Sequence, residues 1–578
     1  MPLTNALNMT VLGMMTTDTK VSVSAQNITN ADKVGYSRKT LDTRYITTNA
    51  GAAPISGMIV GSIDRFLSAS LVGDIGLSTY RTTIADSLDY YSGQLGSTEG
   101  ATTMSSYLND MYSALQYLAT NPETNANRSE VISVATNLAN EMRNLSGDVQ
   151  NLRTQAEQKI NETVTTINAL LDKLDELNTK VTNGQTSDGS IAEYEDQRMQ
   201  ALRDLGTEID IQYFFTSNNR VQVYLESGMP LLTSIPHHID YTTTSFINGT
   251  ILYPAGFDTL DLDGIDITTD LRSGRLAALV NLRDSVYVQE QEKLDEFANV
   301  LKDQVNTILN TGASIPPRNP MEGTLQGLTP ATAFAATGIV RVAVTDENGI
   351  VQSLADINLV PMATINDVLV ALNGVAGITA TLNADGELSI SVLPATSGVT
   401  FNEMTSDVTA TSQGFSMYFG LNDMFTGTGA ETIDITSYLQ SGNDYLPVGI
   451  LSASATLAVG DRGVARGDGS VADALSDQLS VNVSFAAAGN FGAQANTLKR
   501  YVEAIMADAA TQAKISQTEA DTAFLTYNQT KTVLDSKTGV NIDEETAKMV
   551  VLENHYAASA KMIQTIQKMM QDLLDAII

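Results

Sequence analysis

The first and last segments of this chain each carry an apolar stripe with heptad spacing. Near the C-terminus the spacing alternates between three and four residues, which is typical of one face of a coiled-coil helix. This stripe comprises Met549, Leu552, Tyr556, Ser559, Ile563, Ile566, Met570, Leu573 and Ile577. The N-terminal stripe comprises Leu7, Met14, Val21 and Ile28, with Leu3, Thr10, Thr17 and Ser24 on the companion positions. Such stripes favour burial of each end against the other end or against a neighbouring molecule.

The next segments follow helical periods interrupted by polar breaks. We predict a helix over 3–31, a loop with short strands to about Ile63, and helical structure to about Val181. Two heptad runs lie in that last part, the second displaced by one position, as in a long bundle helix whose stripe keeps facing inward. They are Leu138, Met142, Leu145, Val149, Leu152 and Ala156, then Ile160, Val164, Ile167, Leu171 and Leu174. A shorter helix over 191–205 follows a polar break.

The middle of the chain changes to a β-like pattern. Val221, Val223 and Leu225 alternate with polar residues, which predicts a half-buried strand. Helical spacing returns over 274–312, and 325–490 is rich in Thr, Val, Gly and Ser. Within it, Asp385-Gly386 between two apolar runs predicts a β-hairpin. Helix returns over 493–531, and three acidic residues at 543–545 favour a new helix start, because they complement exposed N–H groups.

These elements predict a multidomain α+β fold. The terminal helices form a coiled-coil domain from 1–35 and 540–578, and a helical, rod-like domain combines 36–205 with 493–539. A mixed β and helical region over 206–324 and a β-rich insert over 325–492 occupy the middle, the latter on the outer surface. A chain of 578 residues is too long for one ordinary core, which agrees with several domains.

Composition narrows the possible functions. The formal charge of −33 disfavours nucleic acid and anionic membranes as partners. The absence of cysteine excludes disulfides, thiolate nucleophiles and cysteine-based metal sites. No cleavable signal peptide or membrane-spanning apolar run is visible, so these signals alone predict a cytoplasmic protein, unless a signal-independent export route exists.

Candidate chemistry is weak, and we predict no enzyme, no cofactor, and no catalytic, cofactor-binding or metal-binding residue. His237 and His238 lie beside Asp240, but neighbouring strand residues point to opposite faces, which disfavours a shared metal. The segment 259–270 partly matches a calcium loop, and its alternating pattern favours a strand instead. Arg466-Gly467-Asp468 matches a cell-attachment tripeptide, for which a surface turn is the simpler interpretation.

Motifs beside the two stripes resemble a known family. Residues 24–38 read SAQNITNADKVGYSR and resemble the N-terminal motif of flagellar rod, hook and hook-associated axial proteins, with Val34 where that family usually has Pro. The C-terminal GVNIDEETAKMVVLENHYAASAKMI resembles the matching helix of the same family. Features typical of its hook–filament junction members are Asn121-Pro122, Arg128, Asp196-Gln197-Arg198 and Phe415–Phe425.

The resemblance implies a non-enzymatic subunit, exported without a cleaved signal and located in the extracellular flagellum. Its implied partners are copies of itself, the hook protein, the next hook-associated junction protein, and an export chaperone on the C-terminal helix. The implied assembly interface comprises the two stripes with Asn30, Gly35 and Tyr36. We expect the stripes to await neighbouring subunits rather than to form one intramolecular coiled coil.

Two other functions stay open at this point. A filament-type subunit, either a flagellin or a third hook-associated protein, would polymerise in far larger numbers than a junction subunit. A cell-wall hydrolase using a carboxylate pair in the β region is the enzymatic alternative, although no spacing of acidic residues requires it.

Overall fold

The computed structural model describes residues 2–33, 35–48, 51–96, 103–183 and 191–576, so Val34 and Ile577 lie outside the described residues. Long helices occupy both ends. The α-helices are α1 (Pro2–Thr29), α2 (Arg65–Leu95), α3 (Met104–Thr120), α4 (Asn125–Asn183), α5 (Ile191–Glu208), α6 (Gly274–Asn281), α7 (Tyr287–Leu309), α8 (Ile365–Asn373), α9 (Phe415–Phe419), α10 (Ser437–Ser441), α11 (Ser470–Gln478), α12 (Leu498–Thr538) and α13 (Ile542–Asp575). A π-helical turn at Leu282–Val286 joins α6 to α7.

The strands form small antiparallel sheets. They are β1 (Lys39–Thr48), β2 (Gly51–Gly61), β3 (Ile211–Phe215), β4 (Val221–Leu225), β5 (Pro230–Leu232), β6 (Ile239–Asp240), β7 (Asp261–Leu262), β8 (Ile265–Asp266), β9 (Met321–Glu322), β10 (Ala336–Thr337), β11 (Ile339–Asp346), β12 (Val351–Asn358), β13 (Ile378–Leu382), β14 (Leu388–Val392), β15 (Ser397–Asn402), β16 (Asp407–Val408), β17 (Phe425–Thr426), β18 (Asp434–Ile435), β19 (Val483–Phe485) and β20 (Gln494–Asn496). The three-stranded sheets have the orders β3-β4-β5, β6-β7-β8, β13-β14-β9 and β12-β11-β15.

The long helix α4 explains the displaced heptad runs. Every residue of both runs is buried. The run from Leu138 to Leu152 belongs to a core shared with α2, α3, α7 and α12. The run from Ile160 to Leu174 belongs to a separate core with α5 and the first β region. The one-residue displacement therefore marks the point where the helix changes packing partner, which the periodicity alone did not reveal.

The β interpretation of 325–490 holds only in its first half. The predicted hairpin is confirmed, since β13 pairs with β14 around Gly386, whose φ is +76°. Beyond 402, however, only short strands and short helices occur among the described residues, so the β-rich interpretation of that part is wrong. The physical reason is packing: Met424, Phe425, Ile435 and other apolar residues there fill the helical core instead of a sheet.

Helix α12 runs antiparallel along α2 and leads into α13. Arg81 and Glu519 form an ion pair (2.6 Å), and Lys537 lies 3.5 Å from Asp64, which caps α2. The helix is longer than predicted, since it extends to Thr538. Asn541 caps α13 by accepting hydrogen bonds from the two backbone N–H groups at 543 and 544, as the acidic start predicted.

These elements confirm the multidomain α+β fold with long terminal helices and a β-containing middle. The four domain boundaries remain a proposal. Among the described residues, no helix is long and apolar enough to cross a membrane.

Candidate assembly site at the paired chain ends

The two predicted stripes face partners within one chain. Helix α1 packs against α13, and the pair is antiparallel because Asn27, near the end of α1, contacts Glu545, near the start of α13. The described N-terminal stripe is half-buried throughout, and Ser24 is fully buried. The expectation that the stripes would lack an intramolecular partner is therefore wrong. Half-buried or buried stripe positions on α13 are Met549, Leu552, Ser559, Ile563, Ile566 and Met570.

The stripe on α13 turns outward towards its C-terminal end. Tyr556 is 40% exposed and Leu573 is 54% exposed, although both belong to the predicted stripe. A straight α-helix drifts by about 20° per heptad from a strict seven-residue repeat, so a late stripe residue leaves the contact face. A further apolar row on α13 is about half exposed, and it comprises Val550, Val551, Met562, Met569 and Leu574.

The centre of the joint is a buried hydrogen-bonding contact between Asn27 and Glu545. The Asn27 amide donates to Glu545 Oε2 (3.2 Å) and to the backbone oxygen of Lys39 (2.9 Å). Its Oδ1 atom accepts from the backbone N–H of Lys39 (2.9 Å) and from the Tyr36 hydroxyl (3.0 Å). Asn27 thus fastens the end of α1 both to β1 and to α13, with every polar atom of its side chain used.

Arg38 closes the same contact from outside. Its Nε and Nη2 atoms lie 2.8 and 2.7 Å from Glu545 Oε1, while Nη1 lies 3.3 Å from Glu544. The Glu545 side chain is fully buried, whereas that of Arg38 is 31% exposed. Burial raises the pKa of the Glu545 carboxyl, but the neighbouring Ser24 hydroxyl, Arg38 and Asn27 outweigh it and hold that pKa below its usual range.

A second buried contact fastens β1 to helix α5. The Lys39 ammonium forms an ion pair with Asp196, and it also donates to the backbone oxygen of Ala192 (2.7 Å). The Ser37 hydroxyl donates to Asp196 Oδ1 (2.6 Å). Burial lowers the pKa of the Lys39 ammonium and raises the pKa of the Tyr36 hydroxyl to about 12, with Asp196 adding to the latter shift. The motif residues 36–39 therefore link three helices, α1, α5 and α13.

Sequence reasoning found most of this joint but missed its arrangement. Asn27, Ser37, Arg38, Asp196 and Glu545 all lie in motifs that carried the family resemblance. Lys39 follows that motif directly and had no sequence signal, since a single Lys at a strand start is usually exposed. Among the predicted interface residues, Tyr36 belongs to the joint. Asn30 only closes the end of α1, with its amide donating to the backbone oxygen of Gln26 (2.9 Å).

Two other family-like features also lie at buried contacts. The Arg128 guanidinium donates to the backbone oxygens of Pro122 (2.9 Å), Ile315 (2.9 Å) and Asp444 (3.1 Å), so it ties three separate segments together. The stretch 415–425 packs at the end of α7, where Asn310 donates to Asp423 Oδ1 (2.7 Å).

Gly35 is required by its backbone conformation. Its φ is +78°, and a Cβ atom would lie 2.9 Å from Arg203 Nη2 and from Gln200 Oε1. We expect Gly35→Ala to destabilise the joint by roughly 1–2 kcal/mol, the cost of a left-handed conformation for an L-residue. Hydrogen exchange of the α1 amides measures the effect.

The matched control is Gly13→Ala in α1, where nothing lies within 4 Å of the added methyl group. A helical Gly→Ala change should stabilise by up to about 1 kcal/mol. The two variants should therefore change exchange in opposite directions, and equal changes would contradict the conformational explanation.

The weaker chemical motifs have structural roles. The His237 ring contacts Asp263 (2.6 Å) while the His238 ring contacts Asp172 (2.9 Å), so the two rings bond to different carboxylates. Residues 261–266 form the β7–β8 hairpin, as the strand interpretation predicted. Asp468 of the attachment-like tripeptide accepts a hydrogen bond from a backbone N–H (2.9 Å). Among the described residues no group of three or more His, Asp or Glu side chains could hold a metal ion.

Comparisons with known proteins match both the helical part and the C-terminus. The family model for the flagellar hook-associated protein FlgK helical domain matches residues 94–319. The model for the flagellar basal body rod FlgEFG protein C-terminal matches residues 535–576. Among solved structures, the flagellar hook junction protein FlgK from Burkholderia pseudomallei aligns over 82% of this chain and all of that chain, with 16% identity and a TM-score of 0.45.

Curated relatives match over nearly the whole length. Flagellar hook-associated protein 1 of Salmonella typhimurium is 23% identical over 597 residues, covering 99% of this chain and 100% of that protein. The protein of the same description from Escherichia coli K12 is 22% identical over 600 residues, with the same coverage of both chains. The Bacillus subtilis protein is 24% identical over 211 residues, covering 34% of this chain and 41% of that protein. By its helical-domain and C-terminal models and its full-length relatives, the chain belongs to the flagellar hook-associated protein 1 family.

Proposed function

We propose that this chain is a structural subunit of the bacterial flagellum that joins hook to filament, and that it assembles through its terminal helices. Its full-length relatives carry the description flagellar hook-associated protein 1. The observation that carries the assembly mechanism is the α1–α13 pair, which leaves a row of about half-exposed apolar side chains along α13.

The exposed row gives the reason for association. A two-helix pair has no further layer with which to cover these side chains, and exposed apolar rows usually mark interaction surfaces. Burying the remaining half of each large side chain stabilises by about 1 kcal/mol, so the row supplies several kcal/mol towards the cost of ordering a subunit. The Asn27–Glu545 contact keeps both helices in the register that presents this row.

The proposed partners follow from the same role. They are further copies of this chain, the hook protein and the next hook-associated junction protein. An export chaperone on α13 would cover the apolar row before assembly. The subunit would lie outside the cell as part of the flagellum and would perform no catalysis. Its charge of −33 disfavours nucleic acid as a partner.

Charge placed in the exposed row tests this role. We expect Met562→Glu to abolish incorporation into flagella, because each copy would bury an unpaired carboxylate. Gln564→Glu is the matched control, since it adds the same charge two residues away on an exposed position and should incorporate normally. Deletion of 549–578 should also abolish incorporation while the β domains stay folded.

Labelled protein on intact cells gives the location. Signal confined to the boundary between hook and filament, in a small fixed copy number, supports the proposal. Signal along the whole filament identifies a filament-type subunit instead. Incorporation that is unchanged by Met562→Glu and by the deletion contradicts assembly through the terminal helices.

A further inference from the structure

The outer face of the α2–α12 pair carries a strip that is unusually poor in charge. On α12, exposed positions recur with heptad spacing from Ile515 to Val533, which are 48% and 41% exposed. On α2, Phe66 and Leu77 are 81% and 44% exposed. We call this surface the neutral strip, and it comprises Phe66, Ser70, Gly73 and Leu77 of α2, with Ile515, Thr522, Leu525, Thr526, Gln529 and Val533 of α12.

An ion pair shows that the two halves of the strip adjoin. Arg81 lies four residues after Leu77, on the same face of α2, and Glu519 lies three residues before Thr522, on the same face of α12. The 2.6 Å contact between Arg81 and Glu519 therefore brings the two faces together. It also pairs the two charges that fall within this surface, so they cancel.

The polar residues of the strip need little from water. The Thr522 hydroxyl donates to the backbone oxygen of Thr518 (2.8 Å), and the Thr526 hydroxyl donates to that of Thr522 (3.0 Å). These donors are therefore satisfied within the helix. Nothing lies within 4 Å of a methyl group placed on Gly73, so another chain can approach the α2 backbone closely there.

We propose that the neutral strip is a lateral contact surface for a second copy of this chain. The proposal rests on the junction function above and adds to it a second interface. Two copies that each carry a charge of −33 repel each other over most of their surfaces, so they approach at least cost where charge is absent or internally paired. A basic partner would instead be drawn to the acidic faces, which the strip does not offer.

The size of the strip sets its strength. From Ile515 to Val533 it runs about 27 Å, and two helices side by side are about 20 Å wide, which gives roughly 500 Å² per copy. A stable interface buries about 800 Å² per partner. The strip alone is therefore too small to hold a dimer, and it forms its contact only once the terminal helices have aligned neighbouring copies.

The absence of cysteine allows a direct test with the full chain. Single-cysteine variants Leu525→Cys and Gln517→Cys report on the strip and on an exposed position outside it, and each is treated with a maleimide dye before and after assembly onto hooks. We expect Leu525→Cys to react at least tenfold more slowly in the assembled form and Gln517→Cys to react at a similar rate in both. Equal reactivity at both positions in an assembled sample overturns the strip while leaving the junction function intact.

A charge variant provides the second measurement. Thr522→Glu adds a carboxylate to the strip at an exposed position, and Gln517→Glu adds one outside it. With the melting temperatures of both monomers unchanged, Thr522→Glu should lower incorporation at least tenfold and Gln517→Glu should not. Normal incorporation of Thr522→Glu contradicts the proposal, and failure of the unmodified chain to assemble refutes both interfaces.

Discussion

Glu545→Gln should loosen the α1–α13 pair by roughly 2–3 kcal/mol, the usual worth of buried hydrogen bonds to a charged group. The fully buried carboxylate accepts from Arg38 and from Asn27, and an amide cannot accept from both with the same strength. The half-exposed Arg38 keeps access to water, which keeps the loss below that of a wholly buried ion pair. Hydrogen exchange at the start of α13 and at the end of α1 measures the effect.

Glu544→Gln is the matched control. It removes the same charge one residue away, but the Glu544 side chain is 61% exposed and lies 3.3 Å from Arg38. An exposed ion pair contributes about 0–1 kcal/mol, so exchange should change little. Equal effects of the two substitutions would show that net charge, and not the buried contact, holds the terminal helices together.

The pH dependence of this contact has a definite sign. The folded-state pKa of Glu545 lies below its ordinary value of 4.5, so the unfolded chain binds the proton more readily. The stabilisation is therefore fully present above about pH 4.5 and is lost as the pH falls through the folded-state pKa. Protection of α13 in the unmodified chain should fall in that range, and in Glu545→Gln the contribution of this group should be absent.

Arg283→Met should have the largest effect, roughly 3–5 kcal/mol, because it leaves a buried carboxylate without its cation. Arg283 and Glu157 side chains are each 1% exposed and lie 2.6 Å apart. Glu157 also accepts from the Tyr241 hydroxyl (2.6 Å) and from the backbone N–H of Thr244 (2.8 Å), which ties the segment after β6 to α4. Limited proteolysis near Tyr241 and exchange along α4 measure the loss.

The double variant Arg283→Met/Glu157→Leu separates charge from packing. Removing both partners leaves no unpaired charge, and well-packed apolar replacements of buried ion pairs are often neutral or stabilising. The double variant should therefore recover most of the stability that Arg283→Met loses. A double variant less stable than the single one would show that packing, and not the unpaired carboxylate, causes the loss.

The local periodicities predicted the elements well. Heptad and alternating patterns gave the terminal helices, the buried runs of α4, the strand at Val221–Leu225 and the hairpin around Gly386, because side-chain burial on one face depends on neighbours a few residues away. The prediction failed beyond 402, where apolar residues in irregular segments fill a helical core. No local period indicates which distant core a short segment joins.

By itself, the sequence determined the long terminal helices, the multidomain α+β class and the flagellar family, because heptad spacing and the motifs at 24–38 and 539–545 lie within continuous stretches. Only the tertiary structure decided that the two stripes pack within one chain, and that Asn27 bonds to Glu545, 518 positions away. It also decided that Lys39 is buried against Asp196, and that charges on α2 and α12 cancel beside an exposed apolar strip. The physical reason is that burial and charge pairing between distant residues depend on how whole helices are placed, which no local pattern specifies.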